Sequence, residues 1–181
     1  MQLVSSYLSL DSRYYKDNPG YVISKTKNRI DAMAVTHEEV YQSEDMSSIN
    51  LSSLFVNVLN DLFSSAHVKN IKRKFNCDPI FVDIDDAMSL SFLINELAFN
   101  TIRHAFPNND LGSFNVNLKS TVDNIVLEVW DDGVGLPEGV NFLVNNSLGF
   151  IIIRRLTAQL EANINVLKDV PGFGVRLTIP Q

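Results

Sequence analysis

Glu96, Asn100 and His104 recur every fourth residue in the segment 96–106. At 3.6 residues per turn, positions i, i+4 and i+8 of a helix lie close to one face, so an acid, an amide and an imidazole would project together. Further along, Asp131-Asp132-Gly133-Val134-Gly135 comes directly after an apolar run at 125–130. That is the pattern of a strand ending in a polar, glycine-bearing turn. A helix with a polar, reactive face beside a strand-end glycine loop suggests a nucleotide site.

These groups need elements to hold them. Leu93, Ile94, Leu97 and Ile102 supply an apolar surface that would press the striped helix onto a sheet. The helix should start near Asp85 or Asp86 and stop at Pro107, with a loop at 108–112. Segments 114–118 and 125–130 alternate as paired strands around a turn at 121–124. Segment 70–85 is strand-like but interrupted at Asp78-Pro79, which predicts two short pieces. Segment 136–146 has no period and holds Pro137, Gly139, Asn141, Asn145 and Asn146, so it reads as a mobile loop. Ser147-Leu148-Gly149 opens a helix running through Leu160, and 163–167 and 175–179 close the chain as two further strands. Asn50 or Ser48 can cap a helix through Leu51, Leu54, Val58, Leu59 and Leu62. Helices interspersed with a mostly antiparallel sheet predict an α+β, two-layer sandwich over residues 46–181.

Upstream, Leu3, Tyr7, Leu10 and Tyr14 form a helical seam, Asp17-Asn18-Pro19-Gly20 breaks it, and Ile23, Ile30, Met33, His37 and Val40 continue the pattern. Residues 1–45 therefore read as an antiparallel helical hairpin, divided from the rest by a polar linker at 43–48. A hairpin has too little core to stand alone, and a second copy is the favoured partner, giving a homodimer through a four-helix bundle. His37 falls on the apolar stripe and reads as a core histidine.

The composition, 45% hydrophobic and 20% charged, is that of an ordinary folded domain rather than a disordered chain. No apolar run approaches the ~18 residues of a membrane span, and no signal peptide is evident, so the segment is expected to be cytoplasmic and off the membrane. A net charge of −6 argues against nucleic acid as a partner. The short cluster Lys72-Arg73-Lys74 reads as a solvated strand edge. Cys77 is the single cysteine, which leaves no disulfide framework and no cysteine metal site.

Glu96…Asn100…His104-Ala105-Phe106, Asp131-x-Gly133-x-Gly135, Ser147-Leu148-Gly149 and Gly172-Phe173-Gly174 together resemble, in order and spacing, the four ATP-site boxes of the GHKL superfamily. That superfamily takes in DNA gyrase, Hsp90 chaperones, mismatch-repair ATPases and histidine kinases. Gln2–Leu10 and Arg29-Ile30, His37-Glu38 and Tyr41 resemble the dimerisation segment of one subfamily of sensor histidine kinases. The resemblance implies a Bergerat-type ATP fold using ATP and Mg²⁺, and a transferase that phosphorylates a histidine and passes the group to a response-regulator receiver domain. It also implies that the chain begins just past the family's His-Arg-Val-Lys-Asn-Asn acceptor motif, so that this piece would bind ATP without phosphorylating itself. The acceptor role does not transfer to His37.

Within that resemblance, the side-chain oxygen of Asn100 can complete the shell of a Mg²⁺ held mainly by phosphates and water. Glu96 can orient or deprotonate a nucleophile, or hold a metal-bound water. His104 would wall the phosphate region. Asp131 can accept a hydrogen bond from the adenine amino group, while Gly133 and Gly135 let backbone pass close to the base. Gly149 at a helix start would offer N–H groups to phosphate, and Gly174 would belong to the last ATP box. The segment 136–146 would be the lid. Where relatives carry a glycine-threonine pair this chain has Gly174-Val175, which removes a hydroxyl from phosphate and would weaken binding.

Each feature alone has an ordinary competitor. Glu96, Asn100 and His104 match the solvated face of a helix, Asp131–Gly133 a plain turn, Gly149 a packing glycine, and Gly172 and Gly174 hairpin residues. Four in order outweigh them. The alternatives carried forward are a GHKL serine kinase of the anti-sigma-factor type, and a non-enzymatic dimer scaffold with a degenerate nucleotide pocket.

Overall fold

The computed structural model describes residues 19–42, 48–142, 144 and 147–181. The expected helix at 1–16 and the boundary at 45/46 lie outside the described residues. The chain is an α+β protein with a five-stranded sheet backed by helices. The helices are α1 (Pro19–Gln42), α2 (Leu51–Ser65), α3 (Ile84–Asn100) and α4 (Leu148–Gln159). A small antiparallel pair, β1 (Ile49–Asn50) with β3 (Phe81–Val82), stands apart from the main sheet. The main sheet is made of β2 (Ile71–Cys77), β4 (Gly112–Ser120), β5 (Asn124–Asp131), β6 (Asn163–Val166) and β7 (Gly174–Pro180), in the order β2-β4-β5-β7-β6. Only β2 and β4 pair in parallel, and the other pairings are antiparallel. The interruption at Asp78-Pro79 does split its segment into two strands, β2 and β3.

Alternation along β5 links sequence to site. Ile125, Leu127, Val129 and Asp131 are buried in turn, while the residues between them are less covered. Because side chains alternate faces at every residue, the same periodicity that sends three aliphatics to the helix layer delivers a carboxylate there at the strand end. Beneath the sheet, Phe55, Leu59, Phe92, Leu93, Phe114, Leu127, Ile153 and Leu177 are almost fully buried. Each such side chain contributes roughly 1.5–3 kcal/mol through removal from water. The outer face is polar: Asn76 donates to Asn117, Asn117 to Glu128, and Arg176 to Glu128, at 2.7–2.8 Å. Burial pushes the Glu128 carboxyl up, but hydrogen bonds from Asn117 and Arg176 and the Arg176 charge outweigh it and hold the group below its ordinary value. The basic cluster lies on the edge strand β2, exposed, with Arg73 stacked 5.3 Å over the Phe63 ring.

Local signals account for the helix starts. Asn50 caps α2 by accepting from the Ser52 N–H at 2.9 Å, and Asp83 caps α3 by accepting from the Asp86 N–H. The C-terminal end of α3 departs from expectation. Regular α-structure stops at Asn100, and a π-turn, Thr101–Ala105, intervenes before Phe106. The wider turn rotates the downstream residues about the helix axis. Glu96 is buried, Asn100 half-buried and His104 exposed.

Helix α1 packs on α2 and α3, and of the predicted seam Met33 packs partly buried on the core while the other described members do not. Arg29, Ala32 and Thr36 are the buried residues of its described part, whereas Ile23 is 69% and Ile30 49% exposed. His37, expected in the core, is also exposed. The helix thus lays a mixed face on the domain, where Met33 and Val35 pack partly buried beside Arg29, Ala32 and Thr36, and turns Ile23 and Ile30 outward. No helix among the described residues is long and apolar enough to cross a membrane.

Candidate functional site

A cavity of about 350 Å³ opens where the π-turn, the end of β5, the segment after Gly133 and the start of α4 converge. Asn100, His104, Asp131 and Gly135 line it, together with Thr101, Ser147, Phe150 and Phe173. Residues more than 70 positions apart in sequence meet here. The size suits a small ligand, and the balance of apolar wall to a few polar groups is that of a small-molecule site.

Asp131 is the most tightly specified group. Only 3% of it is exposed. Its Oδ1 accepts the N–H groups of Gly133 at 3.1 Å and Phe173 at 3.2 Å, and its Oδ2 accepts the Thr101 hydroxyl at 2.9 Å. A carboxylate has about four acceptor positions. With two donors on Oδ1 and one on Oδ2, the remaining acceptor position is on Oδ2, at the cavity wall. A Cβ at Gly172 would sit 2.2 Å from Asp131 Oδ1 and 2.6 Å from the Gly133 nitrogen. Only glycine fits there. Gly135, at φ 72°, turns the chain in the left-handed region, which glycine enters at least cost.

The π-turn makes this arrangement possible. It brings Thr101 inward to donate to Asp131 and points the Ala105 carbonyl at Val134, whose N–H donates to it at 2.9 Å. Gly133 lies so close to Ala105 that a Cβ would come within 2.3 Å of the carbonyl oxygen. π-Turns inside helices recur at functional sites, and here the widened turn joins the polar helix to the glycine loop. Thr101 went unrecognised in the sequence because regular helix geometry places it off the stripe.

Asn100 lines the cavity with its side-chain Nδ2 buried and without a hydrogen-bond partner. An amide nitrogen donates two N–H groups, so these donors are left for an acceptor rather than committed to the fold. Glu96, one turn earlier, is not in the cavity wall. It is 1% exposed, and its Oε1 accepts from Arg29 Nε of α1 at 2.7 Å. Gly149 lies behind the wall: a Cβ there would be 3.3 Å from the Asn100 amide and 3.7 Å from Glu96 Oε2. The small residue lets the start of α4 settle onto both groups.

Gly133 and Gly174 also lie outside the lining. A Cβ at Gly174 would meet Trp130 Cβ at 2.6 Å, so it is strand packing that demands glycine there, and Phe173 is the residue of that box that faces the cavity. Val175 is fully buried in the core, paired with Val129 and Val166. Val175 thus lies outside the cavity lining. In the loop expected to be mobile, Phe142 is 1% exposed and stacks with Phe150 at 4.8 Å and Phe173 at 5.5 Å, while its carbonyl accepts from Arg154 at 2.9 Å. The loop has an aromatic anchor that its lack of periodicity concealed. Among the described residues, no group of three or more His, Cys, Asp or Glu side chains could hold a metal ion unaided.

Comparison with known proteins matches the same regions. A family model described as histidine kinase covers residues 1–66, and one described as histidine kinase-, DNA gyrase B- and HSP90-like ATPase covers residues 85–181. The chain is 29% identical over 188 residues to sensor histidine kinase PdtaS of Mycobacterium tuberculosis, an alignment covering 99% of this chain and 37% of that protein. It is 33% identical over 113 residues to blue-light-activated histidine kinase 2 of Erythrobacter litoralis, covering 61% of this chain and 32% of that one. The chain thus spans about a third of the length of these curated relatives. Among solved structures, the histidine kinase domain of the Erythrobacter litoralis EL346 blue-light activated kinase superposes with a TM-score of 0.78 at 21% identity, covering 99% of this chain and 93% of that domain. The catalytic domain of histidine kinase ThkA gives 0.60 at 22% identity, covering 74% and 95%. At these identities, the two structures establish a shared fold.

Proposed function

This chain belongs to the family of histidine kinase-, DNA gyrase B- and HSP90-like ATPases, and on that premise we propose that it is the ATP-binding catalytic portion of a two-component sensor histidine kinase. The protein containing it would transfer the γ-phosphoryl group of ATP to a histidine, with ADP leaving, and then to an aspartate of a response-regulator receiver domain. The observation that carries the reading is Asp131: a buried carboxylate held by three donors, with its remaining acceptor position at the wall of an apolar cavity. An exocyclic amino group, as on adenine, satisfies that acceptor, whereas the carbonyl of guanine would set oxygen against oxygen.

The other residues fall into place around a base so oriented. Val134, Leu136, Phe150 and Phe173 supply the apolar wall. Gly135 lets the backbone close on the base, and His104 and the start of α4 near Gly149 lie toward the phosphates. The side-chain oxygen of Asn100, at the cavity wall, would complete the shell of a Mg²⁺ carried in by the phosphate oxygens. Mg²⁺ when bound would neutralise phosphate charge. The protein's own share is positioning, the usual burden in phosphoryl transfer. Glu96 is assigned the orientation of the nucleophile.

Dimerisation through residues 1–45, with the aliphatic face of α1 carrying Ile23 and Ile30, and a cytoplasmic setting complete the proposal. The histidine-kinase match over residues 1–66 favours this reading over an anti-sigma-factor type serine kinase. Calorimetric titration with Mg-ADP and with Mg-GDP is the test: binding of the adenine nucleotide alone is expected, and no binding of either would favour a scaffold with a degenerate pocket.

A further inference from the structure

A second polar recess lies away from the cavity around Asp131. Helices α1, α2 and α3 meet at a narrow cleft whose polar lining is Asn28 and Asp31 from α1, Asp61 and Ser65 from α2, and Asn95 from α3. None of these residues lines the Asp131 cavity. Asn28 and Asp31 are three positions apart and Asp61 and Ser65 four, spacings that set side chains side by side on one helix face. Each of the two helices therefore turns a pair of oxygen-bearing groups toward the junction, and α3 adds a fifth.

These groups do not satisfy one another. Asn95 is 2% exposed, yet among the described residues neither it nor Asn28 nor Asp61 has a side-chain hydrogen bond or ion pair. Buried amides are normally bonded, because leaving one without a partner costs its desolvation. Asp31 is engaged on one oxygen only: Lys27 donates to Oδ2 at 3.0 Å across an exposed turn of α1, a surface pair of little worth. The Ser65 hydroxyl donates to the Leu62 carbonyl at 3.0 Å, so what remains on its oxygen is acceptor capacity.

The junction thus gathers two carboxylates, two amide carbonyls and a hydroxyl oxygen. Oxygen donors of this kind with two negative charges select a hard cation, and the cleft is too tight for an organic molecule. Ca²⁺ takes six to eight oxygens at about 2.3–2.6 Å in flexible geometry, whereas Mg²⁺ demands a near-ideal octahedron and keeps its waters. Donors delivered by three separate helices suit the flexible shell. Two carboxylates fall short of a cluster of three acids or histidines, and the neutral oxygens make up the number.

We propose that the junction of α1, α2 and α3 is a Ca²⁺ site. Asp31 and Asp61 supply the charge, the side-chain carbonyls of Asn28 and Asn95 and the Ser65 hydroxyl complete the protein's share of the shell, and water fills the rest. The bound ion bridges three helices and stabilises the folded chain, since the unfolded chain does not hold the five oxygens together. The site is independent of the kinase reading.

Calorimetric titration of the nucleotide-free chain with calcium chloride is the test. One saturable site is expected, with Kd about 10⁻⁴–10⁻³ M, the range of sites with few charged ligands, and about 10 mM Ca²⁺ should raise Tm by roughly 3–10 °C. Asp61→Asn removes a charge that bonds nothing else in the fold. It should weaken binding at least about tenfold, because even partners behind metal ligands are commonly worth about 10- to 100-fold. Asp31→Asn should do the same and serves if Asp61→Asn fails to fold. Asp85→Asn, in the acidic first turn of α3, should leave binding unchanged, and magnesium chloride should bind more weakly than calcium chloride. No saturable heat in the wild type overturns the proposal. An equal loss in Asp85→Asn and Asp61→Asn would mean diffuse attraction to a chain of net charge −6 and overturn it too, as would equal affinity for Mg²⁺. Mg-ADP titration reports on the kinase reading separately, because the two sites share no residue.

Discussion

Asp131→Asn keeps the outline of the side chain and removes its charge. With its oxygen at the Oδ1 position, the asparagine still accepts from Gly133 and Phe173, and its amide nitrogen can donate to the Thr101 oxygen, replacing the bonds now made at 2.9–3.2 Å. The fold should survive with a loss of about 1 kcal/mol, one hydrogen bond's usual net worth, or roughly 2–4 °C in Tm for a chain of this size. The ligand side fares differently. The remaining acceptor position on Oδ2 becomes an N–H, which would face the amino group of adenine donor to donor. Losing a hydrogen bond to a charged acceptor costs about 1.5–3 kcal/mol, so Mg-ADP should bind roughly 10- to 150-fold more weakly. Calorimetric titration beside a thermal melt separates the two effects. Wild-type affinity in a folded Asp131→Asn protein would refute the assignment of this carboxylate to the base.

The packing yields three further outcomes. Gly172→Ala places a methyl 2.2 Å from Asp131 Oδ1 and 2.7 Å from its backbone oxygen, so melting should show a loss of about 1–3 kcal/mol from overpacking, and Mg-ADP titration a weakened site. Val175→Thr, which adds a hydroxyl, should leave Mg-ADP affinity unchanged and cost about 1–3 kcal/mol for a hydroxyl buried in the core. Tighter binding would show that the residue reaches the nucleotide after all. Glu128 is held below its ordinary value in the folded chain, so its contribution is present above the unfolded value near about pH 4.3 and disappears as pH falls through the folded one. Urea melts should therefore show Glu128→Gln less stable than wild type at neutral pH, with the gap closing in acid.

The amino-acid sequence by itself determined the α+β class, the strands, the split at Asp78-Pro79, a cap at Asn50 or Ser48 and a helix start near Asp85. Each rests on short-range periodicity or on a side chain bonding backbone within three residues. Alternation along β5 even implied that Asp131 would share a face with Ile125, Leu127 and Val129. Tertiary structure alone decided the rest. Regular spacing put Glu96, Asn100 and His104 on one stripe, but packing holds Glu96 in a buried ion pair with Arg29 and leaves Asn100 and the more exposed His104 at the cavity wall. Arg29 lies 67 positions from Glu96, and no local pattern marks that pairing. His37 was misplaced for the same reason: periodicity says that a residue lies on a face, and only packing says what that face meets.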